Sequence, residues 1–183
     1  MLNRFLFWLS GLLPCRLIQR NPGEPYLERY LLGHVFGVTF YLHRFVSCDG
    51  DEEVHNHPWA RAAAVVLKGG YSEEVVEDLM PFAGPSGCLT NTRRVRWFNY
   101  IPGNHFHRIA RVDPFTWTLF MHGERQMRDG RHKGWGFLRG APTYLNPGTV
   151  YTPHPQGNLL WHLEAPRGRD SARASLNFPP VSK

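Results

Sequence analysis

Two histidine pairs about fifty residues apart, His55-Asn56-His57 and His105-Phe106-His107, constrain this chain more than any other feature, because each lies among residues that favour β-strands. On a strand, residues i and i+2 point to the same side, so each pair projects two imidazoles from one face. Were the two strands to face one cavity, up to four neutral nitrogen donors would converge, a set that suits a first-row transition metal. The separation excludes the helical His-Glu-x-x-His site and the Cys/His finger. It demands a sheet to bring the pairs together.

The flanking residues supply that sheet. Ala62-Ala63-Ala64-Val65-Val66-Leu67 is short and apolar enough for a buried strand, and Lys68-Gly69-Gly70-Tyr71 closes it with a turn. Val95 to Ile101 is aromatic and β-branched until Pro102-Gly103 breaks it, and Phe115 to Met121 reads as another strand ended by His122-Gly123. Earlier, Tyr26 to Phe45 offers lead-in strands, with Tyr41, His43 and Phe45 alternating against Leu42 and Arg44. If the odd-numbered side faces the cavity, His43 joins the histidine cluster. A chain of 183 residues that is 42% hydrophobic can bury one sizeable core, and its 18 glycines and 15 prolines favour turn-rich β structure over helices. The expectation is an all-β sandwich or barrel.

The two motifs resemble those of the cupins, small jelly-roll barrels that hold a metal among inward-facing histidines. The first cupin motif sets a His-x-His pair before a Glu, with a Gly seven residues after that Glu. His55, His57 and Gly69 fit this pattern, with Ala62 standing where the Glu would be. The second motif, Pro-x-Gly-x-x-His, is met by Pro102 and His107, with the glycine one place early at Gly103 and Arg111 where an Asn is usual. The resemblance spans roughly residues 35 to 140. It implies a single jelly-roll (cupin) barrel over 35–140, preceded by an N-terminal amphipathic helix and lead-in over 1–34 and followed by a partly irregular C-terminal arm over 141–183.

The resemblance also implies a chemistry. Three-histidine sites without the Glu are similar to those of the cysteine dioxygenase and gentisate dioxygenase types, in which ferrous iron binds the substrate directly. By that likeness the ligands are His55, His57 and His107, with His105 either a fourth ligand or a hydrogen-bond donor behind them. Without a carboxylate the site offsets none of the metal's charge and leaves the ion more Lewis-acidic. The expected function is therefore a mononuclear non-haem iron oxygenase, an Fe(II)-dependent dioxygenase acting on a small molecule. Zn, Mn or Ni would instead serve a non-redox isomerase or lyase, and a non-catalytic small-ligand-binding cupin is the third reading. Arg44 and Arg108 are candidate anchors for a substrate carboxylate, although alternation turns them away from His43 and His107. Tyr41, Tyr71 and Tyr100 are candidate proton donors.

The formal net charge of +6 comes mostly from arginine, with Lys only at 68, 133 and 183, and the basic residues are scattered among acids. No run resembles a nucleic-acid-binding arm, so no nucleic acid is expected. Cys15, Cys48 and Cys88 are too few for a disulfide framework and fit a reducing cytoplasm. At the N-terminus, Phe5, Trp8, Leu9, Leu12 and Leu13 form one face of a helix too short to span a bilayer. That face is expected to pack on the barrel or in a homodimer contact, with membrane-surface contact by residues 1–14 as the competing reading. In the C-terminal arm, order is expected around Tyr144 and Trp161 and fraying after Arg167.

Overall fold

The computed structural model describes residues 1–19, 23–48, 53–78, 89–128, 131–132, 134–143, 146–153 and 160–177. Helix α1 (Leu2–Gly11) leads into strands β1 (Cys15–Gln19), β2 (Pro25–Val35), β3 (Val38–Phe45), β4 (Val54–His55) and β5 (Arg61–Lys68). Next come β6 (Tyr71–Asp78), β7 (Leu89–Val95), β8 (Phe98–Pro102), β9 (His107–Val112) and β10 (Trp117–His122). A two-stranded ribbon of β11 (Met127–Arg128) and β12 (Arg131–His132) precedes a final hairpin of β13 (Gly136–Thr143) and β14 (Asn146–Pro153).

Two six-stranded sheets result, ordered β1-β2-β3-β10-β5-β8 and β14-β13-β4-β9-β6-β7. Within them, β3-β10-β5-β8 and β4-β9-β6-β7 hold the strand order of two interlocked Greek keys, which is the jelly roll. Among the described residues no strand of one sheet pairs with the other, so the expected barrel takes the form of a two-sheet sandwich. The sheets also reach beyond residues 35–140, with β1 and β2 before this stretch and the β13–β14 hairpin running past it.

Alternation explains how the sheets enclose space. Along β5 the inward residues Ala62 and Ala64 are small, which admits the rings of Tyr41 and Phe120 from the neighbouring strands. The β5–β6 turn requires Gly69, whose φ is +74° and whose added Cβ would sit 2.9 Å from the Thr116 Cα. Thr116 is fully buried there, its hydroxyl accepting from the Gly70 amide at 3.1 Å.

The outer face of the first sheet is covered as well. Leu6, Cys15, Tyr30, Leu42 and Trp117 form a second apolar layer between α1 and the strands. The face of α1 that docks differs from the one expected. Leu6, Ser10 and Gly11 are buried, whereas Phe5, Trp8 and Leu12 are 54%, 61% and 41% exposed. Close approach decides the matter, because Ser10 and Gly11 leave room for the C-terminal segment to lie against the helix. A Cβ at Gly168 would stand 2.3 Å from the Ser10 carbonyl oxygen, and Arg173 donates to the Phe7 carbonyl and the Ser10 hydroxyl.

The expected fraying after Arg167 is corrected for the described residues, since Gly168 and Arg173 lie against α1 and Ala174 to Leu176 are bound to the sheet, while 178–183 fall outside the described residues. The Ala174 amide donates to Glu28 Oε1 at 2.6 Å, and Arg44 donates to the carbonyls of Ala174 and Ser175. Trp161 lies in a short 3₁₀ turn, while Tyr144 and Cys88 fall outside the described residues. Cys15 and Cys48 are free thiols. Among the described residues no helix is long and apolar enough to cross a membrane.

Candidate metal centre

The histidines converge because β4 is wedged between β9 and β13. His55 stands directly opposite His107 across the β4–β9 pair and opposite Phe137 across the β4–β13 pair. Between the first two histidines, Asn56 points the other way and is 2% exposed, its Oδ1 accepting from the Gly136 amide at 2.9 Å. That clamp fixes the segment while His55 and His57 face inward.

Nitrogen atoms of His55, His57 and His107 lie within 4.8 Å of one another. The ring centroids are 5.1 to 5.3 Å apart, and the Nε2 atoms of His57 and His107 approach to 2.9 Å. Two nitrogens bound to one ion at about 2.1 Å and at right angles lie about 3.0 Å apart, so this pair already has ligand spacing. Burial, followed by the neighbouring imidazole of His107, pulls His55 down to about 3. The same two causes hold His57 well below the ordinary histidine range. Neutral rings are what ligation requires, and the residues therefore fit a divalent transition metal.

His107 is held from behind. Its Nδ1 donates to Glu73 Oε2 at 2.8 Å, and the fully buried Glu73 also accepts from Arg93 Nε and from Asn99 Nδ2. Burial alone would raise the Glu73 carboxyl, but the hydrogen bonds and charges of His107 and Arg93 hold it below its ordinary value. A carboxylate is thus present beside the site, though not among the three histidines. His105 stands apart from that trio and groups instead with Glu73 and His107, its buried Nε2 without a hydrogen-bond partner. Burial lowers it to about 4.

The trio opens into a cavity of about 80 Å³ between the sheets, also lined by Arg29, His43, Thr118 and Phe120. His43 therefore reaches the cavity from the side of β3 that alternation indicated. Tyr41 is buried beside it, stacked on His43 and His122, and Tyr71 lines the cavity wall. The other candidates point away. Arg44 lies on the opposite face of β3, ion-paired to Glu28 at 3.4 Å beneath Phe7 and Trp117, because the strand alternation that turns His43 inward turns Arg44 outward. Tyr100 is 49% exposed on β8, and Arg108 pairs with Glu74. Neither meets the cavity. Arg29, Glu73 and Asn99 are the residues that sequence reasoning missed.

No family model matches the sequence, and no curated protein matches it. Solved structures do match. A candidate mannose-6-phosphate isomerase from Ralstonia eutropha JMP134 aligns with a TM-score of 0.42 at 18% identity, covering 56% of this chain and 88% of its own. KdgF from Halomonas sp. aligns at 0.41 and 17%, covering 57% and 85%. An oxalate oxidase aligns at 0.39 and 19%, covering 58% and 56%. Strand order in both sheets gives this chain a jelly-roll fold, with three imidazoles gathered between the sheets.

Proposed function

We propose that the chain is a mononuclear metal-dependent oxygenase that holds ferrous iron with His55, His57 and His107 and acts on a small molecule inside the cavity. The observation that carries the reading is the gathering of three imidazoles, with no carboxylate among them, at the wall of a cavity between the sheets. When bound, ferrous iron supplies the one-electron redox chemistry that lets an organic substrate react with dioxygen. The chain's own groups hold and shield. Glu73 fixes the proton of His107 on Nδ1 and so leaves Nε2 as the donor. Trp135 and Phe137 pack on His55, Phe120 adds apolar surface from the facing sheet, and Ile109 adds it beside His107 on β9. That wall limits water around the reacting groups.

The test begins with elemental analysis of protein purified without added metal, then oxygen uptake with iron restored, over a panel of small thiols, catechols and diketones. One metal per chain and oxygen uptake that is lost in His57→Ala are expected. Turnover that proceeds equally without oxygen would replace the oxygenase reading with isomerase or lyase chemistry.

A further inference from the structure

Arg29 enters the cavity from the sheet facing the histidines. It stands opposite His43 in the β2–β3 register and donates from Nε to His43 Nε2 at 3.1 Å, with its Cζ 5.2 Å from the centre of the Tyr41 ring. These contacts use one edge of the guanidinium and fix its plane. The Nη1 and Nη2 donors have no hydrogen-bond partner among the described residues.

Four other arginines of the sheets have a carboxylate partner. Arg44 pairs with Glu28, Arg93 with Glu73, Arg94 with Asp113 and Arg108 with Glu74. Among the described residues no carboxylate pairs with Arg29, and the cavity lining contains no acid. A cation at a cavity wall without a counter-charge is unfavourable, and a divalent ion bound in the same cavity would add to the imbalance. Burial pulls the Arg29 guanidinium below its ordinary range. An anion brought in from outside resolves the imbalance.

We infer that Arg29 is the anchor for a small carboxylate ligand, whose remaining end reaches toward His55, His57 and His107. The inference rests on the proposed metal-dependent activity for the identity of the site, while the Arg29 geometry stands by itself. Two parallel N–H donors match a carboxylate in its plane. The cavity, about 80 Å³, is small beside the roughly 300 Å³ or more of a drug-sized ligand site, which favours a small ligand. The substrate class is therefore a short hydroxy or oxo acid of a few non-hydrogen atoms.

The experiment measures binding of pyruvate and lactate, and of their neutral amides pyruvamide and lactamide, to the metal-loaded protein by calorimetry. The acids are expected to bind and the amides to bind at least about tenfold more weakly, the difference a charge-assisted pair supplies. Arg29→Met is expected to lose that preference while its metal content stays at the wild-type value. Equal binding of acid and amide by the wild-type protein overturns the inference without recourse to any variant, as does undiminished acid binding by Arg29→Met. The two readings fail separately. A protein that keeps its metal and rejects every acid refutes the anchor alone, whereas one that holds no metal yet binds acids through Arg29 refutes the metal reading alone.

Discussion

His107 Nδ1 lies 2.8 Å from Glu73 Oε2, and on the far side of the same ring His107 Nε2 lies 2.9 Å from His57 Nε2. A carboxylate that takes the Nδ1 proton leaves the Nε2 lone pair facing the other histidines and makes it a better donor. Glu73 is in turn held by Arg93 and Asn99, and Asn99 also donates to the Tyr71 hydroxyl. The direction of one imidazole is thus set by a network of the buried Glu73, Asn99 and Tyr71 together with the more exposed Arg93.

Glu73→Gln tests that network. The amide fits the same space but lacks the charge, so metal affinity is expected to fall about 10- to 100-fold. Competition against a chelator reads the affinity, and circular dichroism verifies that the variant is folded. Unchanged affinity would mean that the orientation of His107 does not depend on the carboxylate.

Metal removal is expected to lower thermal stability, because the ligands sit on β4, the turn after it and β9, and one ion ties these together. At about 100 times its dissociation constant a metal adds about 2.7 kcal/mol. A chelator should abolish that increment in the wild-type protein. It should change nothing in His57→Ala, whose melting temperature with and without metal should coincide.

The two faces of α1 should respond in opposite ways to truncation. Leu6 is 5% exposed in a layer with Tyr30, Leu42 and Trp117, so Leu6→Ala is expected to cost about 2 to 4 kcal/mol. Trp8, though larger, is 61% exposed, and Trp8→Ala should stay within about 0.5 kcal/mol. Urea unfolding of both variants checks the order; a larger loss at Trp8 would restore the face read from periodicity.

Much of the fold was legible because its signals are local. The apolar run over 62–67 became β5, Lys68-Gly69-Gly70-Tyr71 became its turn, and the first histidine pair entered the trio together with His107, though His105 did not. What escaped depends on register and on contact between distant segments. The two-residue turn at Phe36 and Gly37, both with positive φ, pairs Val35 with Val38, and counting back from it sets Tyr30 against His43. A bulge between Leu31 and Gly33 shifts the register by one, which instead sets Arg29 against His43 and gives the cavity its cation. Gly33 is the one local hint of a bulge in that strand, but a glycine alone does not set which residues it shifts. The helix face was misjudged for a similar reason. Periodicity counts apolar residues, whereas the docked face is chosen by the small Ser10 and Gly11 that let Gly168 and Arg173 approach.

Acid should destabilise the metal-free protein in a window set by histidines buried as neutral rings. Burial is the first cause of the low value of His122, about 4, outweighing the opposing hydrogen bond from its Nδ1 to the Gly123 carbonyl. Burial and then Arg29 hold His43 well below its ordinary range. Both folded values lie below the unfolded value of 6.5, so the unfolded chain binds more protons as pH falls below it. Stability therefore drops from about pH 6.5 downward by about 1.4 kcal/mol per pH unit for each such ring, and the His122 contribution levels off below about pH 4. Above about pH 7 these rings contribute no slope. His122→Phe retains a ring to stack on Trp59, which lies 4.2 Å away between centroids in the wild type, and removes one titrating group. Urea midpoints measured between pH 7.5 and pH 5 should fall less steeply for this variant than for the wild type. Parallel slopes would show that His122 takes up its proton as readily inside the fold as outside it.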